Sequence, residues 1–351
     1  MTGRVQAARL TAAIQNIAVT GADDRALRGR LLDVVESFVP FDAYAFLLTD
    51  PVTSVGCSPV AAVPNLPALP DLIRLKYLTP VNRWTALPAC GCASLQQATG
   101  GHPEQSLMWR EHLAGLGVLD VVSIVFQDRF GWWGFLDLWR RASHFTHEEV
   151  AALVAVRPAL TSLLRGVQAA GFTSGDVPPA IRGPGALVLT PALIVRAQTT
   201  QTRAWLSALV PAPAGGSSVP ASAYNVAAQL LATEAGVDTH PPQARVHLGG
   251  GTWLTLRADR LGGSEPVENR DIVVTMEASS PAERRDVFGR SHGLTGREGE
   301  VLAHLADGSD TRTVAHVMAI SELTVQDHLK AVFTKTQTTS RRELLAVSGG
   351  R

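Results

Sequence analysis

Apolar positions recur with two different periods along the chain, and the changes of period mark the elements. Val5, Ala8, Ala12, Ile14 and Ile17 share one face at helical spacing, which predicts a helix over Arg4–Val19. Leu27, Leu31, Val34, Val35 and Phe38 predict a second over Asp24–Phe38. Runs rich in aromatic and β-branched residues, Tyr44–Leu48, Val121–Phe126 and Trp132–Trp139, predict strands, and QDRFG joins the last two at hairpin length. Thr146-His-Glu-Glu149 is a capping box that opens a helix over Thr146–Gln168, with Pro158 expected to kink or interrupt it. Further on, ALVLTPALIVRAQT predicts two short strands around a turn and Thr202–Leu209 a helix. ARVHLGG, GTWLTLRADRL and DIVVTMEA then predict three strands with glycine-rich turns. From Leu294 the pattern becomes four short helices. Thr295-Gly-Arg-Glu298 opens the first and Ser340-Arg-Arg-Glu343 the last. The inner positions are Val301, Leu302 and Leu305, then Val314, Ala315 and Met318, then Val325, Leu329, Val332 and Phe333.

Pro, Gly and Ser cluster at Gly171–Gly185, which reads as an interdomain linker, and at Pro211–Ala221 and Gly262–Arg270, which read as loops. A further joint lies around Ser279–Gly293. These breaks predict an α+β multidomain chain: a sensor-sized block over 1–170, a linker over 171–185, a second block over 186–278, a linker or helix over 279–293, and an all-α end over 294–351.

Composition narrows the function. The chain has 351 residues, enough for two or three domains at roughly 100–200 residues each. Lys and Arg number 31 and Asp and Glu 31, and the balance holds locally, at 14 against 14 over 1–170, 10 against 10 over 171–290 and 7 against 7 over 291–351. No segment is a polycation, so any nucleic-acid reading rests on a motif rather than on charge. No run approaches the roughly 18 uninterrupted apolar residues of a membrane span, and the N-terminus lacks a leader pattern, so a cytoplasmic protein is expected. Cys57, Cys90 and Cys92 are too few for a disulfide framework. Cys90-Gly-Cys92 with His102 and His112 lacks zinc spacing, so neither metal nor cofactor is expected. Phosphate-loop, dinucleotide-binding, zincin and nucleophile-elbow motifs are all missing, which argues against an enzyme.

Five of the seven tryptophans fall in the first block. Ordinary core packing is one account of them, and an aromatic pocket for a small apolar effector is the other. Trp132 and Trp133 must point to opposite faces of a strand. The pocket reading therefore takes Trp84, Trp109, Trp133 and Phe135.

The end of the chain is the most specific part. LT-x-RE-x-EVL, Gly308 closing the first helix, then VA, IS-x-x-TV-x-x-HL, Lys335 and SRRELL run without a gap over Leu294–Val347. This resembles the LuxR/NarL-type helix-turn-helix domain. The resemblance implies that the third helix enters the major groove, the fourth pairs two such domains, and double-stranded operator DNA is bound as a homodimer. On the face opposite Val325, Leu329 and Val332 lie Gln326, Asp327 and Lys330. Gln suits adenine, Lys suits guanine and Asp suits the cytosine amino group. Thr311, Arg312, Ser321, Thr324 and Lys335 are placed to touch phosphates, which positions the domain without reading sequence. Gly296 and Gln337 depart from the family's usual Pro and Gly, and Thr338 and Thr339 from its usual Val and basic residue. At position 337 a left-handed backbone is wanted, so Gln there costs about 1 kcal/mol.

PFDAYAFLLTD, GWWGFLDLW and FTHEEVAAL resemble a GAF sensor domain, an α/β/α layering, over roughly Asp24–Gln168. The order of strands in the second block resembles a PAS-like α+β sensor. The combination implies a regulator controlled by a small-molecule effector. The alternative is a binding module whose altered head no longer reads DNA.

Overall fold

The computed structural model describes residues 2–17, 24–173, 181, 183–209 and 219–350. Most of the expected linker 171–185 and loop 211–221 lies outside the described residues. The first block contains α1 (Thr2–Gln15), α2 (Asp24–Glu36), β1 (Ala43–Thr49), β2 (Gly56–Ala62), α3 (Leu69–Leu78), β3 (Cys92–Ser94), α4 (Leu95–Ala98), β4 (Asp120–Asp128), β5 (Gly131–Arg140) and α5 (His147–Ala170). Its five strands form antiparallel sheet A in the order β2-β1-β5-β4-β3. The second block contains β6 (Gly185–Leu189), β7 (Val195–Gln198), α6 (Thr200–Leu209), α7 (Ala221–Glu234), β8 (Gln243–Gly249), β9 (Thr252–Arg260) and β10 (Ile272–Ala278). Antiparallel sheet B runs β7-β6-β10-β9-β8, the same relative order as sheet A. α8 (Pro281–Ser291) leads into the head, α9 (Gly296–Ala306), α10 (Thr311–Met318), α11 (Glu322–Thr336) and α12 (Arg341–Gly349).

The two faces of sheet A have different partners. A side chain added at Gly134 would meet Leu164, so α5 covers that face. On the other face Phe135 stacks on Trp84. α5 opens with the expected capping box at Thr146 and Glu149 and runs unbroken through Pro158. The expected interruption does not occur. Pro158 is exposed, so the hydrogen bond it forfeits falls on the solvent side while Val156 and Leu160 stay packed. α5 is also the one helix among the described residues long and apolar enough to cross a membrane, although polar interruptions hide this from a search for continuous runs. Here its apolar face belongs to the core with Leu153, Val156 and Leu164.

α7 had no counterpart in the sequence reading. It is buried on nearly all sides, from Ala221 through Gln229 and again at Ala232. A helix with no polar stripe gives no amphipathic signal, and it needs apolar neighbours all round. α7 finds them between α3 and β2 of the first block and β9 and β10 of the second. Asn225 Nδ2 donates to the Gly56 carbonyl at 2.8 Å, and Gln229 Nε2 to the His240 carbonyl at 2.8 Å.

Candidate nucleic-acid interface

Each helix of the head begins at a residue that supplies a missing acceptor. Thr295 and Glu298 form a reciprocal capping box, Asp310 accepts from the Thr313 amide, Ser321 from Thr324 and Ser340 from Glu343. The Thr313 amide also holds the Asp310 carboxyl below the usual carboxylate range. Between these caps, Val301, Leu305, Val314, Ala315, Met318, Val325 and Leu329 form one core. That core fixes α11 across α10, with its opposite face toward solvent.

Gln326, Asp327 and Lys330 all lie on that exposed face. Lys330 Nζ and an Asp327 carboxylate oxygen are 3.5 Å apart and both solvated, a pair that a base edge can open at little cost. Arg312 and Ser321 are exposed and Thr324 is half-buried, at the starts of α10 and α11, the Thr324 hydroxyl 2.8 Å from that of Ser321. Thr311 is partly committed, because its hydroxyl accepts from Arg341 Nη2 at 2.5 Å.

Lys335 departs from its expected place. Its ammonium donates to both carboxylate oxygens of Glu298, at 2.9 and 2.6 Å, and this pair holds Glu298 below the usual carboxylate range together with the Thr295 cap. Lys335 therefore ties α11 to α9, and a phosphate would have to compete with a buried carboxylate for it. Two residues of this surface escaped the sequence reading. Arg341 links α12 to α10 through Thr311, and Leu323 is a 70% exposed leucine at the start of α11. In SRRE the pattern that carries Arg341 is also that of a helix cap, and nothing local separates the two. An isolated exposed leucine carries no periodic signal at all.

Gln337 adopts φ 55° and ψ 31°, the left-handed conformation expected at that position. Thr338 is buried and pairs its hydroxyl with that of Thr336 at 2.9 Å, while Thr339 donates to Glu343.

Of the four residues proposed to line an aromatic pocket, Trp84, Trp133 and Phe135 fall in one core and Trp109 in another. Trp84 and Phe135 stack directly, with centroids 4.4 Å apart. The Trp84 indole donates to the Ser54 carbonyl, and Tyr77 closes on its ring edge. Trp133 is fully buried, with its indole on Asp128. Trp109 belongs to a separate cluster with Leu113, Val118 and Trp139. Alternation along a strand gives each residue its face but cannot say what fills the face. Burial in apolar surroundings raises the Cys92 thiol to about 12, while Cys90 is exposed. Among the described residues no group of three or more His, Cys, Asp or Glu could hold a metal ion.

Capped short helices around one core, with a polar face on the third, define a helix-turn-helix DNA-binding head. Residues 292–348 match the family of bacterial regulatory proteins of the luxR type (GerE), and the head is a LuxR-family DNA-binding domain of a transcription regulator. No curated protein matches the chain. Among solved structures, Escherichia coli SdiA aligns over 99% of this chain and 98% of that one, at 12% identity and a TM-score of 0.33, a similarity too low to carry an argument about the remaining 291 residues before the head.

Proposed function

We propose that the chain is a ligand-responsive, one-component transcription regulator that binds a two-half-site operator as a homodimer. In this reading residues 1–170 are a GAF-like sensor, 186–278 a PAS-like sensor and 294–351 the reading head, with Gln326, Asp327 and Lys330 on base edges. Arg312, Ser321 and Thr324 would then contact phosphates. The observation that carries it is the solvated face of α11, whose other face is locked into the head's core. Dimerisation follows from charge: a head with seven basic and seven acidic residues over 291–351 gains little from phosphates alone, and two half-sites supply the missing affinity. An effector acts by binding one arrangement of sensor and head better than another, which shifts their populations. The protein then works in the cytoplasm, where the DNA is.

A gel shift of the full chain on its own upstream DNA, over a salt series, tests the reading. A specific band should weaken by about tenfold or more in the Gln326→Ala/Lys330→Ala double variant, since each good base contact contributes about 1–3 kcal/mol. A band indifferent to both substitutions, or no band at low salt, favours a binding module whose head does not read DNA. The Lys335–Glu298 pair and the Asp327 carboxylate on the reading face are what keep that second reading in view.

A further inference from the structure

The joint between sheet B and the head forms an open cavity of ≈ 560 Å³, and two of its lining side chains, Arg284 and Trp253, carry buried donors without acceptors. Phe172 and Thr173 line it from the end of α5, Gly251 and Trp253 from sheet B, and Arg284 and Val347 from α8 and α12. Among the described residues its lining holds one cation, Arg284, and no carboxylate. Arg284 is 5% exposed, and its single hydrogen bond runs from Nη2 to the Val347 carbonyl at 2.7 Å. Among the described residues it forms no ion pair, and its Nε has no acceptor. The indole N–H of Trp253, 4% exposed, also has none. Desolvation lowers the guanidinium pKa to about 10: burial removes its water and returns no counter-charge. Capping of α12 explains the Val347 bond but neither of the two orphaned donors. The Phe172 ring, 5.0 Å from the guanidinium carbon, compensates the charge only in part, and donors this deep are ordinarily paired.

The surroundings choose among anions. One guanidinium beside the negative end of α12 suits a single charge better than two. Phe172, Ala346 and Val347 add apolar wall for a hydrocarbon part. We propose that this cavity binds a small organic monocarboxylate, its carboxylate taken by Arg284 and the Trp253 indole and its hydrocarbon laid against Phe172 and Val347. A ligand so placed bridges sheet B, α8 and α12 and changes how firmly the head is held. That consequence rests on the regulator reading above, whereas the binding itself does not.

Calorimetric titration of the full chain without DNA tests the site, with hexanoate as one probe and inorganic phosphate as the other. Hexanoate should bind at one site per chain. It should bind about tenfold more weakly to Arg284→Met, which loses a charge-assisted contact. The loss should be about threefold in Trp253→Phe, which keeps the ring on Phe172 and removes only the donor. Thermal melts establish that each variant is folded, and Trp253→Phe alone decides the matter if Arg284→Met is not. Absence of saturable hexanoate binding overturns the proposal, as does binding unchanged in the folded variants. Phosphate binding that depends on Arg284 while hexanoate is silent overturns the carboxylate assignment. With no DNA in the cell, a head that fails to read its operator leaves these outcomes unaffected.

Discussion

The seam between the two sheets and the joint between sheet B and the head are both internal boundaries, but they are built from different chemistry. At the seam the charges are buried and fully paired. Arg83 Nη2 lies 2.8 Å from Asp238, on the rings of Trp84 and Tyr77, with Gln229 and Thr85 completing the hydrogen bonds. Asp50 takes two guanidinium bonds and the backbone amide of Arg245, at 2.7, 2.7 and 2.8 Å. At the joint the contact is aromatic, Phe172 on Trp253 and Phe288, with Val287, Leu294 and Leu344 behind. The ion pairs that cross it, Arg257–Glu283 and Arg245–Asp286, each keep at least one partner partly solvated. Buried pairs demand one geometry, because a small displacement strands both charges. Apolar stacking with half-exposed pairs tolerates small shifts. The two sheets are therefore expected to move as one body, and the head against them.

The largest expected effect breaks the seam. Asp238→Ala strands Arg83 and should cost about 3–5 kcal/mol in urea unfolding, whereas Arg257→Ala at the joint, losing partly solvated pairs with Glu283 and Glu277, should cost about 1 kcal/mol or less. Equal losses at the two positions would remove the distinction.

A smaller effect sharpens the joint. Burial beside the Arg284 guanidinium holds His247 at about 4, against its ordinary 6.5. The folded chain thus keeps it neutral while the unfolded chain takes up a proton, so stability is complete above about pH 6.5 and falls as pH drops toward 4. The loss should reach about 3 kcal/mol at most. Thermal melts across that range should show it, with a shallower slope in His247→Gln. His292, also lowered by burial, contributes in the same direction and leaves a residual slope.

The smallest effect lies inside the head. Gln337→Gly relieves a left-handed side-chain residue and should stabilise the end of α11 by about 1 kcal/mol, read as slower amide exchange there.

The head was legible because its information is local. Caps at Thr295 and Ser340, apolar spacing through Val325, Leu329 and Val332, and the strain at Gln337 each depend on residues a few positions apart, and the structure repeats them. The hairpin of β4 and β5 and the capped start of α5 were readable for the same reason. β2, α3 and β3 were not anticipated, because short or irregular apolar runs give no clear period.

What the sequence determined by itself was the class of the head, the alternation of helices and strands before it, and the face of α11 that meets solvent. Tertiary structure decided what lies against those faces. It made Lys335 a partner of Glu298, separated Trp109 from Trp84 and Phe135, and buried α7 between two sheets. It also brought Arg284 and Trp253 to one cavity. The physical reason is range: hydrogen-bonded caps and side-chain period are set within a few residues, whereas burial, charge pairing and cavities depend on segments that meet only when the chain has folded.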